Sequence, residues 1–333
     1  AECPAGTPSS LVAQLLGHGG RGLAREQWTS GRGVCRARVQ FDTLYGCPHG
    51  CAYCAGGQVA VVNVNLEEFI EREVAPAATA EPWQKVFMLN SSLSDTLCFE
   101  PEYGLAELLA SWFAGTADQA WLIHTKSANV DALLDLDHRG RTVMLWSLTG
   151  ASAARLIEPA TASPTARIEA ARRCQAAGYP VRFKLKPIVP VRGWRDEYRE
   201  LIARLFATVR PESVGMFMLA WMEAAELESI LDPDLLDPDF LAAMRQATPA
   251  MAGINTGPFP PAARAEVYRY LIHDVRRHDQ QVPLFLCTET LELWRELGSL
   301  LGTDPAHYVC GCGPQSAPGL TRLDRVLVPT ELR

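Results

Sequence analysis

The sequence predicts an α/β fold in which short buried strands alternate with longer amphipathic helices. Six apolar runs have the length of strands, and the segments between them repeat their apolar residues every three or four positions. Repeated strand–helix units build a parallel sheet through right-handed crossovers. We therefore expect the sheet to close, wholly or in part, into a barrel whose active residues lie at the C-terminal ends of the strands.

The strands are predicted from runs that carry few charges and many large apolar residues, such as "TVMLWSL". These runs cover residues 85–90, 120–125, 142–148, 181–189, 213–219 and 282–287. Helical periodicity covers residues 66–74, 104–113, 130–136, 164–177, 196–208 and 261–277. Gly178 follows the fourth of these helices, as expected of a residue that ends a helix.

Two regions depart from this alternation and divide the chain. Residues 231–261 are rich in Asp and Pro and predict a loop-rich excursion with the character of a lid. We expect residues 1–35 to form an N-terminal extension and residues 36–287 to form the barrel. Residues 288–333 remain as a C-terminal tail that is too short for a domain.

The composition indicates one large domain and argues against several kinds of partner. With 333 residues, 48% of them hydrophobic, the chain can bury a full core. The formal net charge is −7 and the 31 Lys and Arg form no run, so the basic footprint that duplex DNA attracts is missing. No apolar run reaches the roughly 18 residues of a membrane span, and residues 1–24 do not resemble a signal peptide. We therefore expect a cytoplasmic protein.

Three of the ten cysteines, Cys47, Cys51 and Cys54, lie together in "LYGCPHGCAYCAGG". In a chain without a secretory signal, clustered cysteines point to metal or redox chemistry. A zinc site needs four protein ligands and would recruit His49 or a remote cysteine. An iron–sulfur cube on three cysteines instead leaves one iron open to a substrate or cofactor. We favour the cube, because structural zinc sites usually bring their ligands in pairs.

The C-x3-C-x2-C spacing of these cysteines is the signature of radical S-adenosylmethionine (radical SAM) enzymes. Beyond the cysteines, residues 43–287 resemble the spore photoproduct lyase family. The likeness is carried by "VNVNLEEF", "SLSD", "HTKSANVDALLDLDHRGRT" and "IEPATASPTARIEAARRCQAAGYPVRFKLKPIVPVRGWRDEYREL". It implies a partial (β/α)6 radical SAM barrel with a short Cys-containing C-terminal tail. It also implies a [4Fe–4S] cluster on the three cysteines, with S-adenosylmethionine bound at its open iron.

The resemblance also implies which residues contact the cofactor. The family's contacts are a serine before an aspartate, a lysine that ends a strand and a serine that ends the next strand. These positions fall here on Ser94, Lys126 and Ser147. We add Tyr53, an aromatic residue between the last two cluster cysteines that can shield the cluster. Lys126 is placed to pair with the cofactor carboxylate.

Two positions depart from the family. The lyase has a cysteine that donates a hydrogen atom to the product radical, and this chain has Ser92 there. The lyase has a tyrosine directly after its last cluster cysteine, and this chain has Ala55. A hydroxyl group holds its hydrogen too strongly to replace a thiol, so these departures argue against the DNA repair of the lyase, as does the acidic net charge.

The C-terminal tail carries a further pair of cysteines, Cys310 and Cys312, in a glycine-rich C-x-C. They predict an auxiliary iron–sulfur cluster, since glycines permit tight turns around a cube; the alternative is two free thiols. Further ligands would come from Cys35, Cys98 or Cys287, with Cys35 preferred. We expect Cys174, in the middle of a helix, and Cys3, near the terminus, to be inert.

Cys287 ends the last predicted strand, where the substrate radical would form, and two roles are open to it. As a ligand it would tie the tail to the barrel, and as a catalytic thiol it would return a hydrogen atom to the radical. Return to the opposite face of a carbon is an epimerisation, which is the logic of the radical epimerase of neomycin formation. We therefore interpret the chain as an epimerase of an aminoglycoside or another sugar. The alternatives are radical dehydrogenation, dehydration or carbon–carbon bond formation on a sugar or nucleoside, spore-photoproduct-type DNA repair, and non-catalytic electron transfer by an iron–sulfur protein.

The partners follow from this interpretation. An aminoglycoside is polycationic, so a small, polar and cationic substrate would suit an acidic cleft, and nucleic acid and membranes are not expected as partners. The carboxylates that would bind it lie near predicted strand ends: Asp95, Glu100, Glu158 and Glu289. An external electron donor such as a flavodoxin or ferredoxin would reduce the cluster.

Overall fold

The computed structural model describes residues 10–14, 21–24, 33–56, 59–90 and 94–327, and a parallel sheet forms the centre of this part of the chain. The strands described are β1 (Ser10–Gln14), β2 (Arg21–Ala24), β3 (Arg38–Phe41), β4 (Leu44–Tyr45), β5 (Val59–Asn63), β6 (Val86–Met88), β7 (Ala120–Thr125), β8 (Thr142–Leu148), β9 (Val181–Ile188), β10 (Val214–Met218) and β11 (Leu284–Leu286).

The central sheet has six strands in the order β6 to β11, and every neighbouring pair is parallel. The sheet curls into a half-barrel, so the predicted partial (β/α)6 barrel is confirmed. All residues of β8 are buried, as expected for a strand covered on both faces. The smaller sheets, β1–β5–β4 and β2–β3, lie at the β6 side, where Phe41 forms a parallel bridge to Leu89.

Helices make most of the crossovers between the strands of the half-barrel. The helices are α1 (Leu66–Phe69), which runs through a π-helical turn (Ile70–Val74) into α2 (Ala75–Ala80), and then α3 (Leu105–Ala114), α4 (Ala151–Ile157), α5 (Pro164–Ala176), α6 (Trp194–Thr208), α7 (Ala224–Ile230), α8 (Pro238–Met251), α9 (Pro261–His278) and α10 (Leu291–Leu301). None of the helices in the described part combines the length and apolarity needed to cross a membrane.

Two predicted elements differ from the structure. The helix expected at residues 130–136 is reduced to a 3₁₀ turn (Asp131–Leu133), because so short a segment gains too few hydrogen bonds to offset helix nucleation. The excursion expected at residues 231–261 contains the regular helix α8. The Asp237 side chain caps α8 by accepting from the Asp239 N–H, Pro238 begins the helix, and its apolar face is buried.

The C-terminal tail returns to the barrel after α10. The Pro314 carbonyl accepts hydrogen bonds from the backbone N–H groups of Lys85 (2.6 Å) and Val86 (2.9 Å), at the start of β6. Arg182, at the start of β9, donates to the carbonyls of Gly311 (3.1 Å) and Ser316 (2.7 Å). The tail therefore lies across the N-terminal ends of the strands and covers that end of the half-barrel.

Gly215 of β10 is expected to be intolerant of a side chain. It faces Phe285 of β11, and a Cβ at this position would overlap the Phe285 ring. We expect Gly215→Ala to lower the free energy of unfolding by about 1–3 kcal/mol, measured by urea denaturation. The double variant Gly215→Ala/Phe285→Leu should lose less than the sum of the two single variants, whereas additive losses would contradict the proposed clash.

Candidate active site

The three clustered cysteines lie in an open loop that follows β4. Gly46 (φ 78°) and Gly50 (φ 58°) take left-handed conformations that other residues rarely adopt, and these turns wrap the loop. A Cβ at Gly50 would meet nothing within 4 Å, so the space beside the loop is free. Cys54 is exposed, and its sulfur accepts a hydrogen bond from the Gly56 N–H (3.4 Å). The loop has the thiols and the room that a cluster needs.

A fourth thiol, Cys98, lies beside the loop. Ser94 donates from Oγ to the Gly46 carbonyl (2.8 Å), and its Oγ is 3.9 Å from Cys98 Sγ. A hydrogen bond from Cys98 lowers the pKa of Cys47 to about 7. The sequence proposed Cys98 as a ligand of the auxiliary cluster, but the structure places it with the first three cysteines. Ser94 lies at the cluster loop, where the resemblance placed it.

His49 is hydrogen bonded through one ring nitrogen and lies beside the Asp95 carboxylate with the other. Nδ1 is 3.0 Å from the Ala160 carbonyl and therefore donates to it, and Nε2 lies 3.4 Å from Asp95 Oδ2. Burial alone would lower the pKa of His49, but the hydrogen bond and charge of Asp95 outweigh it, so the pKa is raised. A histidine held in this way is not free to complete a zinc tetrahedron with the neighbouring cysteines.

Lys126 and Tyr53 form a buried polar network with Glu158 beside the cluster loop. Lys126 Nζ is 3.1 Å from Glu158 Oε1 and also hydrogen bonds to the Tyr53 hydroxyl, which donates to the same Glu158 oxygen (2.7 Å). Arg167 Nη2 donates to the other oxygen of Glu158 at 2.6 Å, and both of these side chains are fully buried. The lysine expected to meet a cofactor carboxylate is thus held in place by a carboxylate of the protein.

Ser147, at the end of β8, forms a hydrogen bond with a histidine that the sequence analysis missed. Its Oγ is 2.8 Å from Nε2 of His124 on the neighbouring strand β7. Burial and then the nearby charges of Lys184 and Lys186 lower the pKa of His124 well below its usual value. His124 is therefore neutral, and Ser147 lies in a buried, positively charged environment.

The four carboxylates expected to bind substrate are buried and bound to groups of the protein instead: Asp95, Glu100, Glu158 and Glu289. Asp95 accepts from Thr125 Oγ1 (2.7 Å), and Glu100 accepts from the backbone at the start of α3. Glu289 pairs with Arg264 at 3.0 Å. Their positions near strand ends were predicted correctly, but this interpretation of their role was wrong, because buried carboxylates need internal partners.

The remaining cysteines fall into two groups. Cys174 is fully buried in α5, and Cys3 lies outside the described residues. Cys310 and Cys312 are buried with their sulfurs 3.8 Å apart, while Cys35 and Cys287 are half-buried.

An aromatic and cationic surface at the C-terminal ends of β9 and β10 was also missed. Trp221 is 56% exposed although it is large and apolar, and it takes an unusual positive φ of 66°. Its ring packs on Phe217 with centroids 4.8 Å apart. The ammonium of Lys186 lies over both rings, 4.6 Å from Phe217 and 4.9 Å from Trp221. We call Lys186, Phe217 and Trp221 the aromatic platform.

Comparison with known proteins gives one family. The family model described as "Spore photoproduct lyase" matches residues 40–220, more than half of the chain. A spore photoproduct lyase from Bacillus subtilis is 39% identical over 188 residues, which are 53% of this chain and 52% of that protein. A spore photoproduct lyase from Geobacillus sp. is 38% identical over 181 residues, 51% of each. The matched part thus spans about half the length of these curated relatives.

Solved structures agree with the fold. A spore photoproduct lyase complexed with dinucleoside spore photoproduct has a TM-score of 0.64 and is 19% identical, covering 84% of this chain and 82% of that chain. A variant of the same lyase, with bound AdoMet and dinucleoside spore photoproduct, gives the same values: TM-score 0.64, 19% identity, 84% and 82% coverage. The likeness therefore extends over the barrel and beyond the residues that the family model matches.

Proposed function

Because the chain belongs to the spore photoproduct lyase family, we propose that it is a radical SAM enzyme that acts on a thymine dimer of the spore photoproduct type. The predicted cofactors, a [4Fe–4S] cluster and S-adenosylmethionine, are confirmed by this family assignment. The chain's own residues fit them, since the loop offers three thiols beside free space at Gly50. When bound, the cluster supplies the electron that cleaves S-adenosylmethionine to methionine and a 5′-deoxyadenosyl radical.

The predicted small, polar and cationic substrate was wrong, and so was the expectation that nucleic acid is not a partner. The lyases of this family whose structures are solved bind a dinucleoside spore photoproduct, which is a nucleic-acid lesion. The prediction relied on the net charge of −7, but that charge does not describe the interior. Inside the barrel, positive charges gather around His124 and add to burial in lowering its pKa; they belong to Lys184, Lys186, Lys126 and Arg38. The aminoglycoside epimerisation depended on a cationic substrate and loses its support.

The aromatic platform is the observation that carries the proposal. An exposed tryptophan beside a lysine at the C-terminal ends of barrel strands offers a nucleobase a stacking surface and a phosphate a positive charge. Trp221 presents the exposed ring of the platform, and the buried Phe217 supports it from behind. A pyrimidine lesion flipped out of a DNA strand offers this surface a flat base and the charge of its phosphates, whereas a dinucleoside lesion offers the base alone.

Lys126, Tyr53, Ser94 and Ser147 are proposed to position the cofactor. An ammonium has three N–H donors, and Glu158 and Tyr53 account for two of those of Lys126. The third is available to a carboxylate such as that of methionine. Glu158 holds Lys126 in one orientation, which reduces the entropy lost when the cofactor binds.

The two departures from the family affect the end of the reaction. Ser92, at the position of the hydrogen-donating cysteine, lies outside the described residues, and Ala55 is exposed in the cluster loop. These substitutions leave the radical initiation in place and require another source for the hydrogen returned to the product. The proposed function therefore covers hydrogen abstraction from the lesion and leaves the donor unassigned.

The proposal is tested with anaerobically reconstituted protein, dithionite, S-adenosylmethionine and dinucleoside spore photoproduct. We expect release of thymidine together with 5′-deoxyadenosine, with dithionite as the reductant that quenches the radical left on the other half of the lesion, and no release from undamaged thymidine dinucleotide. Replacing Trp221 with alanine should raise KM for the lesion by about 5- to 150-fold, since stacking of one base contributes about 1–3 kcal/mol. The same variant should cleave S-adenosylmethionine at the wild-type rate, because Trp221 does not contact the cluster loop.

Trp112→Ala is the matched control, because Trp112 is a partly exposed tryptophan on α3, away from the strand ends. It should leave KM for the lesion unchanged. Deoxyadenosine formation without any thymidine release would refute the lesion as substrate while retaining the radical SAM activity. An equal rise in KM for both tryptophan variants would show that the platform does not bind the lesion.

A further inference from the structure

Four cysteines outside the cluster loop lie near one another at the half-barrel. They come from three segments, since Cys35 precedes β3, Cys287 follows β11, and Cys310 and Cys312 lie in the tail. The sulfurs of Cys310 and Cys312 are 3.8 Å apart. Cys287 lies within electrostatic range of Cys310, and the Tyr308 hydroxyl lies within electrostatic range of Cys310, Cys35 and Cys287. Residues far apart in the chain are thus gathered at one place.

Backbone contacts hold these segments in position. The Val34 N–H donates to the Glu289 carbonyl (2.7 Å), which places Cys35 beside Cys287. The Cys310 N–H donates to Ser316 Oγ (3.1 Å), and Arg182 binds the carbonyls on both sides of this turn. A Cβ at Gly311 would lie 3.2 Å from Phe285 and 3.3 Å from Leu145, so the turn packs closely on β11 and β8. The four thiols are therefore arranged by the fold and do not lie on a loose tail.

Two cations face these thiols without an acidic partner. Lys184 is 3% exposed, and its Nζ is 3.0 Å from Cys312 Sγ. Arg38 Nη1 is 3.7 Å from Cys35 Sγ, and its buried Nε has no hydrogen-bond partner among the described residues. In the same described ranges, no carboxylate forms an ion pair with either side chain. A buried cation without an anion is strongly unfavourable, so these side chains favour negative charge here, which the Cys312 thiolate supplies in part and an anionic cluster would supply in full.

We propose that Cys35, Cys287, Cys310 and Cys312 ligate a second [4Fe–4S] cluster, whose charge is compensated by Lys184 and Arg38. Four thiolates around an oxidised cube carry two net negative charges, which these two cations neutralise. A single metal ion fits less well, because within the described residues no three His, Cys, Asp or Glu side chains lie close enough to share one ion, whereas a cube holds its four thiolates further apart. Cys287 is then a ligand and not a hydrogen donor.

The position of this cluster indicates electron transfer. Four protein ligands leave no open iron, so the cluster has no vacant position for a substrate or cofactor. Lys184 pairs with Ser147 across β8 and β9, so the cluster borders the predicted cofactor site. An external low-potential electron donor would reduce it by one electron. The inference concerns cofactor content alone and does not depend on the identity of the substrate.

The test is an iron and sulfide count on full-length variants reconstituted anaerobically with ferrous iron and sulfide. The triple variant Cys47→Ala/Cys51→Ala/Cys54→Ala should retain about four irons and four sulfides per chain, and the wild type about twice as many. After dithionite reduction, the triple variant should show the electron paramagnetic resonance signal of a reduced [4Fe–4S] cluster. Adding Cys310→Ala/Cys312→Ala should lower the iron at least fourfold, to about one or less per chain.

The matched control adds Cys174→Ala to the triple variant, and the iron content should stay unchanged, because Cys174 is buried in α5 away from this site. If the variant with all five cysteines replaced fails to fold, Cys35→Ser is added to the triple variant instead. This change should alter the electron paramagnetic resonance signal. An unaltered signal would overturn the proposal. A triple variant without iron, or one that binds one zinc ion and no sulfide, would also overturn it. The iron and sulfide counts do not depend on the substrate, so they would stand even if the protein released no thymidine from the lesion.

Discussion

Replacing Cys51 with alanine is expected to abolish formation of 5′-deoxyadenosine. Cys51 is a thiol of the cluster loop with which both Lys126 and Tyr53 interact. The two thiols that remain cannot hold a cube with three liganded irons and one open iron. Anaerobic incubation with S-adenosylmethionine and dithionite, followed by chromatography of deoxyadenosine, measures the effect.

Two controls separate loss of the ligand from a general effect of removing a thiol. Cys174→Ala should keep the wild-type rate, because this buried cysteine of α5 is far from the loop. Cys98→Ala should keep most of the activity, although Cys98 hydrogen bonds to Cys47. Were Cys98→Ala as inactive as Cys51→Ala, Cys98 would be a fourth ligand and the open iron that S-adenosylmethionine requires would be absent.

The strands of the barrel could be predicted from the sequence because they are buried on both faces. The predicted strands at residues 120–125 and 142–148 have the bounds of β7 and β8. Both faces of β7 and β8 are covered by other parts of the chain, so each of these strands appears as a mainly apolar run. The α8 helix was missed because its Asp and Pro residues were assigned to a loop, whereas they cap and begin the helix.

The cluster loop could also be predicted, because its three cysteines are neighbours in the sequence. The grouping of Cys35 and Cys287 with Cys310 is different, since it depends on the tail returning through the barrel. Such contacts between distant segments are fixed by packing, and no local pattern reports them. Cysteine spacing suggested a second site but could not decide between Cys35, Cys98 and Cys287 as its further ligands.

The sequence also contains a pattern that predicts the polar interior of the barrel, although the strand prediction did not take it into account. In "VRFKLKPIV", Arg182, Lys184 and Lys186 alternate with apolar residues, which is the period of one face of a strand. Since the outer face of a barrel strand packs against helices, this alternation predicts cations that point inward. The net charge of −7 concealed them, because it is a sum over the whole chain and does not describe one site.

Glu158→Gln is expected to be the most destabilising of the changes considered, with a loss of about 3–5 kcal/mol in the free energy of unfolding. Glu158 and Arg167 are fully buried with Oε2 and Nη2 2.6 Å apart, so removing the carboxylate charge leaves a buried guanidinium without its anion. Glu169→Gln is the matched control on α5. Glu169 is also 2.6 Å from an arginine, Arg172, but both side chains are about half exposed, so solvent screens the pair and the loss should be far smaller than that of Glu158→Gln.

The pH dependence gives a second and independent check of the same ion pair. Burial alone would raise the pKa of Glu158, but the charges of Lys126 and Arg167 outweigh it and lower the pKa below its usual value. A carboxyl group with a lowered pKa stabilises the fold above its unfolded pKa of about 4.3, and the contribution is lost as the pH falls through the folded value. The difference in stability between wild type and Glu158→Gln should therefore be full at neutral pH and shrink below about pH 4. Urea unfolding from pH 7 down to pH 3 measures it, and a difference that stayed constant over this range would show that Glu158 stabilises the fold through packing rather than through its charge.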